Sequence, residues 1–190
     1  MFKTVQTKMT GKIFGKISGC LRRFVRRQEG AAAVEFALVA TPFLALTFAI
    51  LETAMVFFAG QSLETAVSDS ARLIMTGQAQ TGTPPLTKDT FKDAVCQRIS
   101  ILFECSKLYV NVQTFTDFSS VSGSAPVTGG ALDSTKTTYN PGDVGSIVSV
   151  TLYYAWPIYV PLLDLLSNSS MSGNNHLLVA TAVFRNEPYK

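Results

Sequence analysis

From Ala31 to Leu51 the chain runs for 21 residues with one charged side chain, Glu35. As an α-helix this stretch is about 31 Å long, against a bilayer hydrocarbon core of about 30 Å. No other apolar stretch approaches it. Val144 to Val160 is interrupted by Ser146, Ser149, Thr151 and Pro157. The run predicts one membrane crossing. It also makes Glu35 expensive, because an unpaired carboxylate in lipid costs on the order of a few kcal/mol.

Charge gives the crossing a direction. Residues 1–30 hold eight Lys or Arg against Glu29 alone, a charge of +7, so the remainder carries −4 of the overall +3. A basic segment can mark nucleic-acid binding. Here it abuts a membrane-length apolar run, and basic residues beside a span stay in the cytoplasm. The expectation is therefore a cytoplasmic N-terminus, an extracytoplasmic C-terminal part and no nucleic acid.

Beyond the span the pattern becomes amphipathic. Leu63, Ala66, Val67, Ser70, Leu73 and Ile74 recur at three- and four-residue spacing, with Glu64, Ser68, Asp69 and Arg72 opposite. One long helix is expected from Ala31 to Met75, ended by Gly77 as a left-handed cap. Gly77 to Leu86 reads as a turn-rich loop. Thr87 and Thr90 open a second helix over Lys88–Phe103, with Phe91, Ala94, Val95, Ile99 and Leu102 on its apolar face.

Strand signals follow. Leu108 to Phe115 and Ile147 to Trp156 alternate, and Leu177 to Arg185 forms a third strand. Pro157 ends or bulges the second strand. The stretch from Thr116 to Gly145, rich in Ser, Thr, Gly and Asp, reads as a long exposed loop, and such loops are often functional surfaces. A short helix is expected over Val160–Leu166 and a loop over Asn168–Asn175. The class is α+β: a long N-terminal transmembrane helix continuing into a small extracytoplasmic domain, with a helix packed on a short antiparallel sheet. The divisions are a basic cytoplasmic leader over 1–30, a transmembrane helix over 31–59 and a periplasmic α+β domain over 60–190.

Cys20 lies in the leader, whereas Cys96 and Cys105 fall on the outer side, where disulfides persist. One bridge between those two is expected, worth about 2.7 kcal/mol in the chain-entropy picture. The alternative is two buried free thiols. Nine residues of unbroken helix would hold the pair about 13.5 Å apart, and a disulfide spans at most about 7 Å. With a bridge, the helix must therefore end near Leu102 and the chain must fold back.

No chemistry-bearing constellation is visible. His176 is the only histidine, reads as a loop residue and has no metal ligands around it in sequence. Asp117 to Ser120 has unconvincing spacing for a metal loop. No phosphate loop or Ser/His/Asp set is present. Neither an enzyme, a cofactor nor a metal is expected. Glu52, at the outer end of the span, reads as structural. Tyr153, Tyr154, Trp156 and Tyr159 form an aromatic cluster suited to a core or a membrane interface. Pro42 removes the helical donor to the Leu38 carbonyl and reads either as a kink or as a tolerated membrane proline.

Cleavage after Gly30 would free the α-amine of Ala31, with a reference pKa of about 8. A neighbouring subunit's amine would then be a natural counter-charge for Glu35 and would set register between helices. Alternatively the Glu35 carboxylate snorkels to the cytoplasmic headgroups. A secretory signal peptide is disfavoured, because Thr47-Phe48-Ala49 is a poor cleavage site and the apolar run continues through Phe57 and Phe58.

Gly30, four small residues and then Glu35-Phe36 resemble the processing site of type IVb prepilins and Flp-type pseudopilins. The whole string Gly-Ala-Ala-Ala-Val-Glu-Phe-Ala-Leu-Val-Ala-Thr-Pro-Phe-Leu resembles the TadE-like family of tight-adherence (Flp) pilus assembly proteins. So do the ending from Ala180 to Tyr189 and the stretch from Cys105 through Phe115. The resemblance implies a pilin-like, minor pseudopilin component of a Flp-type pilus and secretion system, held in the inner membrane. It implies cleavage between Gly30 and Ala31 by an aspartic prepilin peptidase, with Glu35 and Phe36 serving recognition and assembly. The implied partners are other pilin or pseudopilin subunits, the inner-membrane assembly platform and that peptidase. The competing reading is an uncleaved, single-span, membrane-tethered periplasmic module for ligand binding or adhesion.

Overall fold

The computed structural model describes residues 28–160 and 171–189. Expectations for the leader up to residue 27, with Cys20, and for residues 161–170 lie outside them. The chain falls into two units, one ending at Phe48 and the other starting at Ala49. Helix α1 (Gln28–Met75) belongs to both, and begins three residues before the expected Ala31.

Within the first unit, α1 is built from Ala, Leu, Val and Phe, and its side chains from Ala31 to Val39 are all exposed. Threonine is tolerated because its hydroxyl can donate back along the helix. Thr41 Oγ1 donates to the Ala37 carbonyl at 2.7 Å and Thr47 Oγ1 to the Phe43 carbonyl at 2.9 Å. The helix is continuous through Pro42.

In the second unit Val56 is partly buried against the core, and full burial begins at Ala59. Ala59, Leu63, Ala66, Val67, Ala71 and Ile74 are buried in one apolar cluster with residues of the second helix and the sheet. Ser70 joins them by donating its hydroxyl to the Ala66 carbonyl at 2.6 Å. Gly77 takes φ +80, the left-handed turn that ends α1. A single-turn helix, α2 (Gln78–Thr81), then follows in part of what reads from sequence as loop.

Helix α3 (Lys88–Ile99) starts on a reciprocal cap. The Thr90 N–H donates to Thr87 Oγ1 at 3.3 Å and the Thr87 N–H to Thr90 Oγ1 at 2.8 Å. The helix stops at Ile99, four residues before the expected Phe103. A disulfide joins Cys96 to Cys105 with their Cα atoms 5.7 Å apart, which requires the chain to turn back over Ser100–Glu104. Phe103 is carried into the core by that reversal. Its ring meets Tyr154 edge-on at 4.8 Å and Trp156 at 5.7 Å.

The main sheet comprises β1 (Leu108–Phe115), β4 (Ile147–Pro157) and β5 (Asn175–Arg185), all antiparallel with β4 central. Leu108, Val110, Val112, Val148, Val150, Leu152, Leu178 and Ala180 form the face toward the helices. The opposite face bears Asn111, Gln113, Ser149, Thr151 and Thr181. Here β4 departs from simple alternation, since Ser149, Thr151 and Tyr153 are buried too. Residues 121–125 lie along that face and line a cleft of about 220 Å³ with it.

The long loop expected over Thr116–Gly145 is not a plain loop. It contains a small hairpin, β2 (Val127–Thr128) with β3 (Ala131–Leu132), closed by Gly129 and Gly130 at φ +59 and +80. Two successive positive-φ residues are what a tight two-residue hairpin turn demands. Further on, the Val112 N–H donates to the Thr138 carbonyl at 2.9 Å and the Asn140 N–H to the Val112 carbonyl at 2.9 Å. Tyr139 between them packs on Phe91, ring centroids 5.6 Å apart. Burial pushes its phenol up to about 12, so it stays neutral. Nearby, the Asp133 carboxyl is held below the ordinary range by donation from the Thr135 hydroxyl and the Thr135 backbone N–H.

The chain's end closes over the end of α1. The Glu187 N–H donates to the Met75 carbonyl at 2.9 Å. Asn186 Nδ2 donates to the Pro141 and Asp143 carbonyls at 2.9 and 3.0 Å. A methyl group on Gly77 would overlap the ring of Tyr189.

Two predictions follow from this packing. Gly77→Ala combines a strained left-handed backbone with that overlap and is expected to cost about 1–3 kcal/mol. Gly60→Ala, where an added Cβ meets nothing within 4 Å, is expected to be neutral or stabilising by up to about 1 kcal/mol. Thermal unfolding of the full chain in detergent checks both. Replacing Cys96 and Cys105 by serine is expected to cost about 2–4 kcal/mol by the same measurement. Thiol labelling of the unreduced precursor should reach Cys20 alone.

Candidate functional site

The N-terminal part of α1 carries the residues singled out from sequence. Gly30 and Ala31 lie in its first turn, where backbone N–H groups have no helical acceptor. That turn is the part of a helix that opens at least cost. Glu35 follows four residues after Ala31, hence on the same face and about 6 Å further along the axis. Its side chain is exposed, and among the described residues it has no ion-pair or hydrogen-bond partner. Phe36 beside it is 74% exposed.

The helix is bare around them. Val34, Leu38, Val39, Phe43, Leu46 and Phe48 are all at least half exposed. None of the most apolar 18-residue window is buried by the chain, and the helix is long and apolar enough to cross a membrane. Exposed apolar area of that extent marks an interaction surface. Its cover must come from lipid or from other helices.

Glu52, one residue past the apolar run, does more than sequence reasoning assigned to it. Both carboxylate oxygens accept main-chain donors beyond the end of β4. Oε1 takes the Tyr159 N–H, and Oε2 takes the Val160 N–H at 2.8 Å. Two main-chain donors on one carboxylate make a charge-assisted clamp. The partner lies 107 residues away in sequence, and no local motif could have announced it.

The other features singled out from sequence are dispersed. His176 is in a strand, not a loop, because β5 starts at Asn175 and pairs His176 with Trp156. It lines a groove of about 470 Å³ with Glu52, Val56, Gly60, Glu64 and Ile158. A second groove, of about 380 Å³, runs between α1 and the disulfide-closed turn, past Phe58, Ala66, Ile101 and Phe103. At its rim, Asp69 and Arg98 pair at 3.1 Å. Asp117 caps a single 3₁₀ turn, its carbonyl accepting from Ser120 Oγ at 2.7 Å. Of the aromatic cluster, Tyr154 and Trp156 face the core with Phe103, Tyr153 lies on the opposite face, and Tyr159 is exposed. Among the described residues no three His, Cys, Asp or Glu side chains gather as metal ligands.

No curated protein and no solved structure matches the chain significantly. A family model does, over the helix just described. The likeness read from Gly30, Glu35, Phe36 and Pro42 is met by the model for TadE-like proteins, which matches residues 30–72, so this helix is similar to that of TadE-like proteins.

Proposed function

We propose that the chain is a minor pseudopilin-like structural and assembly component of a Flp-type (Tad) pilus and secretion system. It is anchored in the inner membrane by α1, with residues 1–30 cytoplasmic and residues 60–190 periplasmic. The observation that carries this reading is Glu35, an acid without a partner among the described residues, on a bare apolar helix matched by the TadE-like model. A prepilin peptidase removes the leader between Gly30 and Ala31. The new amine of Ala31 then pairs with Glu35 of an adjoining subunit. Ala31 and Glu35 share a face one turn apart, so two helices offset by about one turn bring amine and carboxylate together. The pairing offsets the burial cost of the acid and fixes the axial register.

Phe36 and the small residues before Glu35 are the surface the peptidase and neighbouring helices read. Pro42 leaves the Leu38 carbonyl free of its helical donor and gives the helix a place to bend in a bundle. The partners are other pilin or pseudopilin subunits and the inner-membrane assembly platform. The work is association within a membrane and not catalysis.

Glu35→Gln is expected to leave insertion intact. Removing the charge lowers the insertion cost, by at most about 3 kcal/mol on insertion-based scales, so a defect cannot come from failed insertion. Assembly should nevertheless be lost, seen as most surface filaments and surface attachment disappearing at unchanged membrane levels of the protein. Wild-type piliation in this variant would reject the assembly role. Separately, Gly30→Glu should leave the precursor at full length by intact mass, whereas the parent loses residues 1–30. A parent that keeps residues 1–30, lighter than the variant only by the glycine-to-glutamate difference, would dismiss cleavage at this site.

A further inference from the structure

The end of the apolar run and the end of β4 meet at one residue. Glu52 follows Leu51 directly, and its carboxylate holds the backbone N–H groups of Tyr159 and Val160. The turn after β4 is thereby fixed at the axial height of residue 52, about one residue rise beyond the apolar run. The fold uses Ile158, which is buried, but not the side chain of Tyr159, which is 81% exposed.

Two other bare aromatic rings lie farther out along the helix. Phe57 and Phe58 are 71% and 60% exposed, between Val56, which packs partly buried on the core, and the fully buried Ala59. They lie about 7.5–9 Å beyond Glu52 along the axis. The headgroup layer on one side of a bilayer is roughly 5–8 Å deep. Aromatic side chains concentrate at that depth in membrane proteins. A phenol suits it, with an apolar ring and a polar tip that stays wet.

We propose that the turn at Tyr159 is a lipid-interface contact by which the second unit rests on the outer surface of the membrane. Tyr159 inserts at headgroup depth, Phe57 and Phe58 lie toward the outer edge of that layer, and Glu52 is a positioning residue that holds the Tyr159 backbone there. The occupant is lipid because the patch is continuous with the span and sits at the height where the span ends. A protein partner at this position would have to enter the headgroup layer. The inference rests on α1 crossing the membrane as proposed above, and not on leader cleavage or filament assembly.

The test uses the full chain in phosphatidylethanolamine–phosphatidylglycerol vesicles. Trp156 is the only tryptophan, so Trp156→Phe gives a silent background for two probes, Tyr159→Trp and Phe43→Trp. The Tyr159→Trp probe should show blue-shifted emission, strong quenching by headgroup-nitroxide lipid, weaker quenching by mid-chain brominated lipid and little by aqueous iodide. The Phe43→Trp probe should respond chiefly to the brominated lipid. Adding Glu52→Ala should abolish nitroxide quenching at position 159 and leave the position 43 probe unchanged. Glu52→Gln, which keeps one acceptor, should restore part of it. Iodide quenching without nitroxide quenching at position 159, while position 43 remains lipid-quenched, would overturn the contact and spare the span. That outcome includes a patch covered only by partner subunits. If neither probe meets lipid, the span and the contact fall together.

Discussion

An apolar helix that its own chain leaves uncovered is the constraint from which the rest follows. Between Val34 and Met55 the large apolar side chains of α1 stand exposed, and the hydrophobic effect does not leave such a surface in water. Lipid and neighbouring helices can both supply the cover. A carboxylate on the same surface changes the balance between them, because lipid offers Glu35 no counter-charge, whereas a neighbour processed as proposed would offer an amine. The costly residue thus favours subunit association over simple anchoring.

From Ala59 onward the same helix obeys different rules. Its buried side chains recur at helical spacing against α3 and the sheet, and one small domain core forms there. The C-terminal residues bind back to the helix end through Glu187, Asn186 and Tyr189. The disulfide closes the turn that takes Phe103 beneath Tyr154 and Trp156. One helix therefore serves as membrane segment and as core element, with Glu52 near the change of role.

Local chemistry was legible in the sequence, and long-range chemistry was not. Thr87 and Thr90 announced the start of α3 because a cap involves residues three apart. Gly77 announced the end of α1 for the same kind of reason. Alternation located β1 and most of β4 and β5, and gave the α+β class. The overrun of α3 from Ile99 to Phe103 arose because helical periodicity continues into residues that the disulfide turns aside. The hairpin around Gly129 and Gly130 had a signal, two adjacent glycines between strand-compatible pairs, that the polar composition of Thr116–Gly145 masked. Burial of the second face of β4 was not readable, since residues 121–125 cover it from elsewhere in the chain. The clamp of Glu52 on Tyr159 and Val160 was hidden for the same reason. Gly30, Ala31, Glu35 and Phe36 form a contiguous pattern, and the family match covers that segment.

In the proposed assembly the amine of Ala31 pairs with the carboxylate of Glu35 on a different chain. Zero-length carbodiimide coupling in native membranes, followed by peptide mass spectrometry, reads that contact directly. The account predicts a linked peptide joining a free Ala31 N-terminus to Glu35, with isotope-mixed subunits showing that the link crosses between chains. A native N-terminus still at Met1, or a processed one that couples to Glu35 only within its own chain, would contradict it.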